Sequence, residues 1–285
     1  MAVLPIEVQN WLVEKGEGEV LSLDPVGGGC IHQACTLRTA AGSSYFLKTN
    51  PSPPPGIFAA EAEGLEALRV PGGPAVPLVY LIGEGFLLLE DLRPAPRRSD
   101  FWQIYGAQLA KLHSQTARRF GFDGDNYIGS NPQINGWMED GVDFFRENRL
   151  APQIRWGKDH GLLTANDLRL CESLLAKLDG LVPEQPASLL HGDLWSGNLI
   201  TDSDGGPALI DPAVYYGWAE ADLAMTDLFG SYPDEFYRAY TRMNPLQPGY
   251  RERFSLYNIY HLLNHLNLFG RSYLPGVRSV LRRFA

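Results

Sequence analysis

The sequence predicts an α+β fold of two lobes, a β-rich N-terminal lobe with one helix and a mainly helical C-terminal lobe carrying a hairpin. Three observations predict it. Short apolar and β-branched runs, punctuated by Gly, Pro and Ser, fill the chain up to Leu92. After a basic, proline-bearing stretch at 93–99, apolar residues recur at helical spacing. Within that helical half, Leu199-Ile200-Thr201, a turn at 202–206 and Ala208-Leu209-Ile210 read as a single hairpin. The expected lobes are therefore 1–92 and 93–285.

Taken in order, Val20–Val26 and 31–38 are strands flanking Gly27-Gly28-Gly29, and Gly42-Ser43-Ser44 turns the chain into a strand at 45–48. Prolines forbid regular structure at 51–56, and the stretch 57–69 that follows has helix-forming composition. Runs at 76–80 and 85–90 complete five strands, the last containing the wholly apolar Phe86-Leu87-Leu88-Leu89. Helices are expected at 101–116, where Phe101, Tyr105, Leu109 and Leu112 share a face, and at 141–148, 166–181, 220–229, 235–242 and 251–270.

Composition narrows the classes of partner. Lys and Arg number 24 against 33 Asp and Glu, a net charge of -9 with a pI near 5.2, which opposes a phosphate-binding surface for nucleic acid. No apolar run approaches the roughly 18 residues of a membrane span. The stretch 1–16 lacks a basic n-region and is interrupted by Glu7, unlike a signal peptide. Three cysteines suit a reduced cytoplasm better than a disulfide framework. The expectation is a soluble cytoplasmic protein.

The chemistry concentrates in His191-Gly192-Asp193-Leu194-Trp195-Ser196-Gly197-Asn198. Protein kinases use H-R-D-L-x-x-x-N, and here His, Asp, Leu and Asn keep that spacing. Phosphoryl transfer needs a carboxylate where the acceptor hydroxyl meets the γ-phosphate and an amide oxygen nearby for Mg²⁺. The hairpin after Asn198 returns the chain to Asp211, which matches the second metal-binding carboxylate. A β-rich lobe, a linker and a helical lobe with this loop outline a protein-kinase-like fold.

The N-terminal half supplies the complementary parts. Gly27-Gly28-Gly29-Cys30 lies between strands, where backbone N–H groups would cover the phosphates of ATP. Lys48 ends a strand and would reach those phosphates; Glu61 on the next helix would pair with it, although Glu63 and Glu66 share that helix. Two decoys fail. Gly42 to Thr49 mimics a Walker A loop, but Leu47 occupies the second glycine, and His261 and His265 have zinc spacing, but Leu262 replaces the required Glu.

On these residues the chain resembles the fructosamine kinase family, within the aminoglycoside-phosphotransferase-like branch of kinase folds. The similarity runs almost end to end, through Gly27 to Ile31, Gln108-Leu109-Ala110-Lys111-Leu112-His113, Phe120-Gly121-Phe122, the loop from Leu190 to Asn198, Asp211 to Gly217, and Asn264-His265. Trp195, Tyr216-Gly217 and Glu220 with Asp222-Leu223-Ala224 are its narrower marks, whereas Trp218 stands where many relatives carry His. The resemblance implies ATP-dependent phosphorylation of the 3-hydroxyl of a ketoamine, the adduct of a sugar with an amine, and hence deglycation. Asp193 is then the general base, Asn198 and Asp211 ligate Mg²⁺, Lys48, positioned by Glu61, holds the ATP phosphates, and Glu90, Asp91 and Leu92 form the adenine hinge. Trp195, Tyr216, Trp218 and Glu220 are the substrate-lining expectations. Cys30 is a candidate redox thiol, so the chain is expected as a monomer or a homodimer linked through it. An aminoglycoside- or choline-type phosphotransferase and a non-catalytic kinase-fold nucleotide-binding protein are the alternatives.

Overall fold

The computed structural model describes residues 4–27 and 32–285, so that Gly28, Gly29 and Cys30 of the expected glycine loop lie outside the described residues. Helix α1 (Ile6–Glu14) comes first and was not expected. Its sequence hides it: Pro5 at the cap position makes no side-chain cap bond, and only Val8 and Leu12 are buried while Ile6 and Val13 face outwards. Those two buried residues pack on Cys35, Leu37, Leu47 and Leu88.

Strands β1 (Val20–Val26), β2 (Gln33–Thr39) and β3 (Ser44–Thr49) precede helix α2 (Ile57–Ala67), then β4 (Val79–Gly83) and β5 (Phe86–Glu90). They form one antiparallel sheet in the order β1-β2-β3-β5-β4. The apolar run of β5 follows from burial on both faces: Phe86 and Leu88 join the α1 cluster, while Leu87 and Leu89 join the larger core with α2. Strand β4 starts later than the expected 76. Pro77 has no N–H, and Ala75 instead pairs with the C-terminal half, donating to the Pro207 carbonyl (3.2 Å) and accepting from Leu209 N (2.8 Å).

The C-terminal part runs through α3 (Phe101–His113), β6 (Thr116–Ala117), β7 (Asn126–Ile128), β8 (Asn131–Gln133) and α4 (Gly141–Phe144). A π-helical segment, Phe145–Leu150, joins α4 to α5 (Ala151–Asp159). The helix was expected to stop at 148, before Pro152. Instead the chain widens; Pro152 offers no N–H, and the Asn148 carbonyl takes the Arg149 guanidinium at 3.1 Å. Next come α6 (Ala165–Leu181), β9 (Ala187–Leu190), β10 (Leu199–Thr201), β11 (Pro207–Leu209) and β12 (Tyr215–Gly217). Helices α7 (Ala219–Leu228), α8 (Asp234–Met243), α9 (Tyr250–Phe269) and α10 (Leu274–Phe284) finish the chain.

The α+β class stands, with the antiparallel sheet first and the helices after it. The expectation of one hairpin in the second half is corrected: besides β10–β11 there is a sheet β12-β9-β6 and a second hairpin, β7–β8. Strands of two to four residues are too short to show alternation. The larger core ignores the boundary at 92, joining Ile57, Phe58 and Leu65 of α2 to Val214, Leu223 and Leu263. Among the described residues no helix is long and apolar enough to cross a membrane.

Candidate active site

The loop from His191 to Asn198 leaves the end of the buried strand β9. Gly192 takes φ +82°, and a Cβ there would sit 1.9 Å from the Ala213 carbonyl oxygen, so only glycine lets the loop lie against the segment after Asp211. Asp222, buried on α7, accepts the backbone N–H groups of His191 (2.7 Å) and Gly192 (2.9 Å). His113 of α3 meets the same carboxylate at 3.2 Å through Nε2, and its Nδ1 meets the Tyr240 hydroxyl at 2.9 Å. Burial pushes the Asp222 carboxyl up, but His113 and the loop N–H groups more than offset this and hold it below the usual range. His191 lies 2.9 Å from the Ile210 carbonyl through Nε2 and accepts Asp193 N–H at Nδ1 (3.2 Å), partners that fix its tautomer. Burial depresses its basicity, so it stays neutral.

This frame brings Asp193, Asn198 and Asp211 together. The Asn198 amide donates to the Asp193 carbonyl (2.8 Å) and carboxylate (3.1 Å), and to the Asp211 carbonyl (3.4 Å). Its amide oxygen accepts no hydrogen bond among the described residues. Asp193 is pushed up to about 7, first by burial and then by the charge of Asp211. Asp211 holds a left-handed φ of +56°, at a cost of about 1–2 kcal/mol. The segment is pinned by Ile210 N–H on the Asn198 carbonyl (3.1 Å) and Ala213 N–H on the His191 carbonyl (2.9 Å).

Lys48 arrives from β3, opposite Ala34 and Leu87. Its buried ammonium donates to Glu61 of α2 at 2.5 Å and to Asp211. Of the acidic residues on α2, the pair therefore selects Glu61, because only that face of the helix turns towards the sheet. Burial disfavours the charge on Lys48, yet the Asp211 and Glu61 carboxylates outweigh it and keep the amine protonated. That same ammonium holds Asp211 below the usual range against the pull of burial.

The remaining expected residues divide. Gly27 has, among the described residues, nothing within 4 Å of where a Cβ would stand. Glu90 pairs with Leu78 through backbone (2.8 Å) and carboxylate (3.1 Å), while Asp91 accepts Ser44 Oγ and Arg93 N–H (3.1 Å). Their side chains are thus committed locally. Trp195 is half-buried, its ring lying over Gly197, where a Cβ would come within 2.3 Å, with an edge towards Phe229 at 6.1 Å. Tyr216 is half-buried beside Trp137, at 5.8 Å between ring centroids. Trp218 and Glu220 are corrected as substrate-lining residues. Trp218 packs in the core with Phe120, Phe145 and Tyr257, and Glu220 is enclosed by Arg253 (2.6 and 2.7 Å) and the Tyr257 hydroxyl (3.0 Å). Neither presents a surface to a ligand.

Sequence reasoning gave no role to Asp222 or His113. Both lay inside runs that carried the family resemblance, which was the available signal, but an Asp in a helix's first turn ordinarily reads as dipole compensation.

A family model described as fructosamine kinase matches residues 7–285. A chloroplastic protein-ribulosamine 3-kinase of Oryza sativa subsp. indica is 38% identical over 96% of this chain and 82% of its own. A crystal structure assigned as a fructosamine-3-kinase, from Thermobifida fusca, superposes with a TM-score of 0.88 at 35% identity, covering 98% of each chain. A macrolide 2'-phosphotransferase type I, at 14% identity and a TM-score of 0.65 over 100% of this chain and 99% of its own, shares the fold.

Proposed function

The chain belongs to the fructosamine kinase family, a phosphotransferase family using ATP, and on that premise we propose that it phosphorylates the 3-hydroxyl of protein-bound or small ketoamines. The observation that carries the reading is the meeting of Asp193, Asn198, Asp211, Lys48 and Glu61 at one point between the sheet and the helical part. Asp193 is the general base. Its carboxylate, held by the Asn198 amide, accepts the hydroxyl proton as the oxygen attacks the γ-phosphorus, and the bond to the ADP oxygen breaks. A pKa near neutrality matches that task.

Lys48 neutralises the phosphates. An arriving polyphosphate displaces Asp211 from the ammonium, while Glu61 keeps the lysine in place. Asn198 and Asp211 suit Mg²⁺: one amide oxygen without a partner among the described residues and one carboxylate, both hard donors, are what an ion that shares its shell with phosphates and water requires. When bound, Mg²⁺ would offset charge on the phosphate oxygens. Trp195 and Tyr216 offer half-exposed aromatic faces for the sugar. On this reading the ATP cleft lies between lobes 1–92 and 93–285, and the protein acts in the cytoplasm. The product explains the purpose: enolisation of the C2 carbonyl towards C1 gives an enaminol whose nitrogen expels the phosphate from C3, and water then releases the amine from the C1 imine without further enzyme action.

ATP consumption across ketoamines, aminoglycosides and choline, with Asp193→Asn as control, tests this. Turnover that requires an added ketoamine supports it. Turnover only with aminoglycosides or choline, or none with any acceptor, overturns it.

A further inference from the structure

Asp211 and Glu61 flank Lys48 from different parts of the chain, so the ion-pair geometry depends on what holds the two apart. Hairpin β7–β8 touches both supports. The Tyr127 hydroxyl donates to the Pro55 carbonyl at 2.7 Å, at the start of α2, the helix that carries Glu61. On the other side, Asn126 donates to the Val214 carbonyl (2.8 Å) and Gln133 to the Ala213 carbonyl (3.0 Å), three and two residues after Asp211. We propose that this hairpin is a brace that sets Asp211 against Glu61, with Gln133, Asn126 and Tyr127 as its positioning residues. The inference rests on the roles proposed above for Asp211 and Lys48.

The brace is built from groups that have no slack. Gln133 is buried and its amide is committed at both ends: the nitrogen donates to Asn126 Oδ1 (2.8 Å) as well as to Ala213, and the oxygen accepts the Tyr260 hydroxyl (2.8 Å). Asn126, also buried, is fixed by Gln133 on one side and by Val214 on the other. Arg149 then locks the end of β8. Its fully buried guanidinium donates to the Ile134 carbonyl (2.5 Å) and Asn135 Oδ1 (2.7 Å), and lies 3.9 Å over the ring of Tyr215. No carboxylate pairs with it among the described residues; carbonyls and aromatic faces stabilise the cation instead. One side chain on a π-helical segment thus ties the hairpin to the strand that follows Asp211.

Direct packing closes the triangle. A Cβ on Gly64 of α2 would stand 3.1 Å from Pro212 and 3.2 Å from Val214, so α2 already lies against the segment the hairpin holds. Asp211 keeps its left-handed backbone only while its neighbours over-determine it. The contacts to the Ala213 and Val214 carbonyls, added to those of the catalytic loop, supply that constraint from the opposite side.

The test is binding of ADP with Mg²⁺, by titration calorimetry, alongside unfolding midpoints. Tyr127→Phe keeps the ring and removes one hydrogen bond. It should weaken ADP·Mg²⁺ about 3- to 10-fold with an unchanged midpoint. Gln133→Leu should weaken it further, about 10- to 100-fold, beyond any loss of stability. Affinity equal to wild type in both variants, while Asp211→Asn is weakened, overturns the brace alone. An Asp211→Asn variant that binds ADP·Mg²⁺ as wild type overturns the site reading and the brace with it.

Discussion

The two sides of the site are held by different forces. On the catalytic-loop side, Asp193, Asn198 and the backbone of Asp211 are pinned by hydrogen bonds to backbone groups from Asp222, His191 and Gln133, all buried. On the Lys48 side, the ammonium is held by two carboxylates, and no described residue stands within 4 Å of where a Gly27 Cβ would lie. Contacts to backbone cannot be exchanged for a ligand without unfolding the loop. A carboxylate on an ammonium can, because a phosphate offers the same charge. The loop that carries Asp193 and Asn198 is therefore fixed by the chain itself, whereas Lys48 is held by groups that the proposed nucleotide could replace.

The widest separation of the two sides comes from Asp193→Asn. Turnover should fall about 10²–10⁴-fold, while ADP affinity and the unfolding midpoint stay at wild-type values. Near-normal turnover removes Asp193 from its role. Asp222→Ala attacks the frame instead, leaving two loop N–H groups and His113 without their acceptor. Chemical denaturation should show a loss of about 3 kcal/mol, and turnover should fall with it. A midpoint within experimental error of wild type would mean that the loop is held elsewhere.

The pH profile comes next. Asp193 must be ionised to accept a proton, and its pKa is pushed up to about 7. The value of kcat/KM, which reports the free enzyme, should therefore rise with pH and level off above about 7, falling about tenfold per unit below it. A profile flat down to pH 5 contradicts the raised pKa. The smallest effect belongs to the hinge. Glu90→Ala removes a carboxylate that serves Leu78 N–H, so KM for ATP should move less than about 3-fold. A larger shift would show that the side chain itself reads the nucleotide.

How much of this was legible follows from sequence distance. The loop from His191 to Asn198 and the hairpin before Asp211 were readable because their chemistry is written in contiguous spacing. Lys48 was readable as the end of a strand, and the choice of Glu61 over Glu63 and Glu66 needed the face of α2. Asp222 reaches His191 across 31 residues, and His113 reaches Asp222 across 109, and no local period records such contacts. Trp218 and Glu220 show the opposite failure. They sit in a run that marks the family, yet that run says nothing about which way a side chain points, and both point into the core. Helix α1 escaped because its packing rests on a short patch, buried Val8 and Leu12 with half-buried Trp11, while Ile6 and Val13 face outwards and blur the amphipathic pattern.

By itself the sequence determined the α+β class, the kinase-type loop, and the order of Lys48, Glu61, Asp193, Asn198 and Asp211, because turn chemistry, hydrophobic period and motif spacing are short-range properties. Only the tertiary structure decided which of those groups meet, which aromatic faces remain open, and what fixes them. Hydrogen bonds to buried carbonyls and ion pairs between distant elements depend on packing, and packing brings together residues whose separation along the chain carries no pattern of its own.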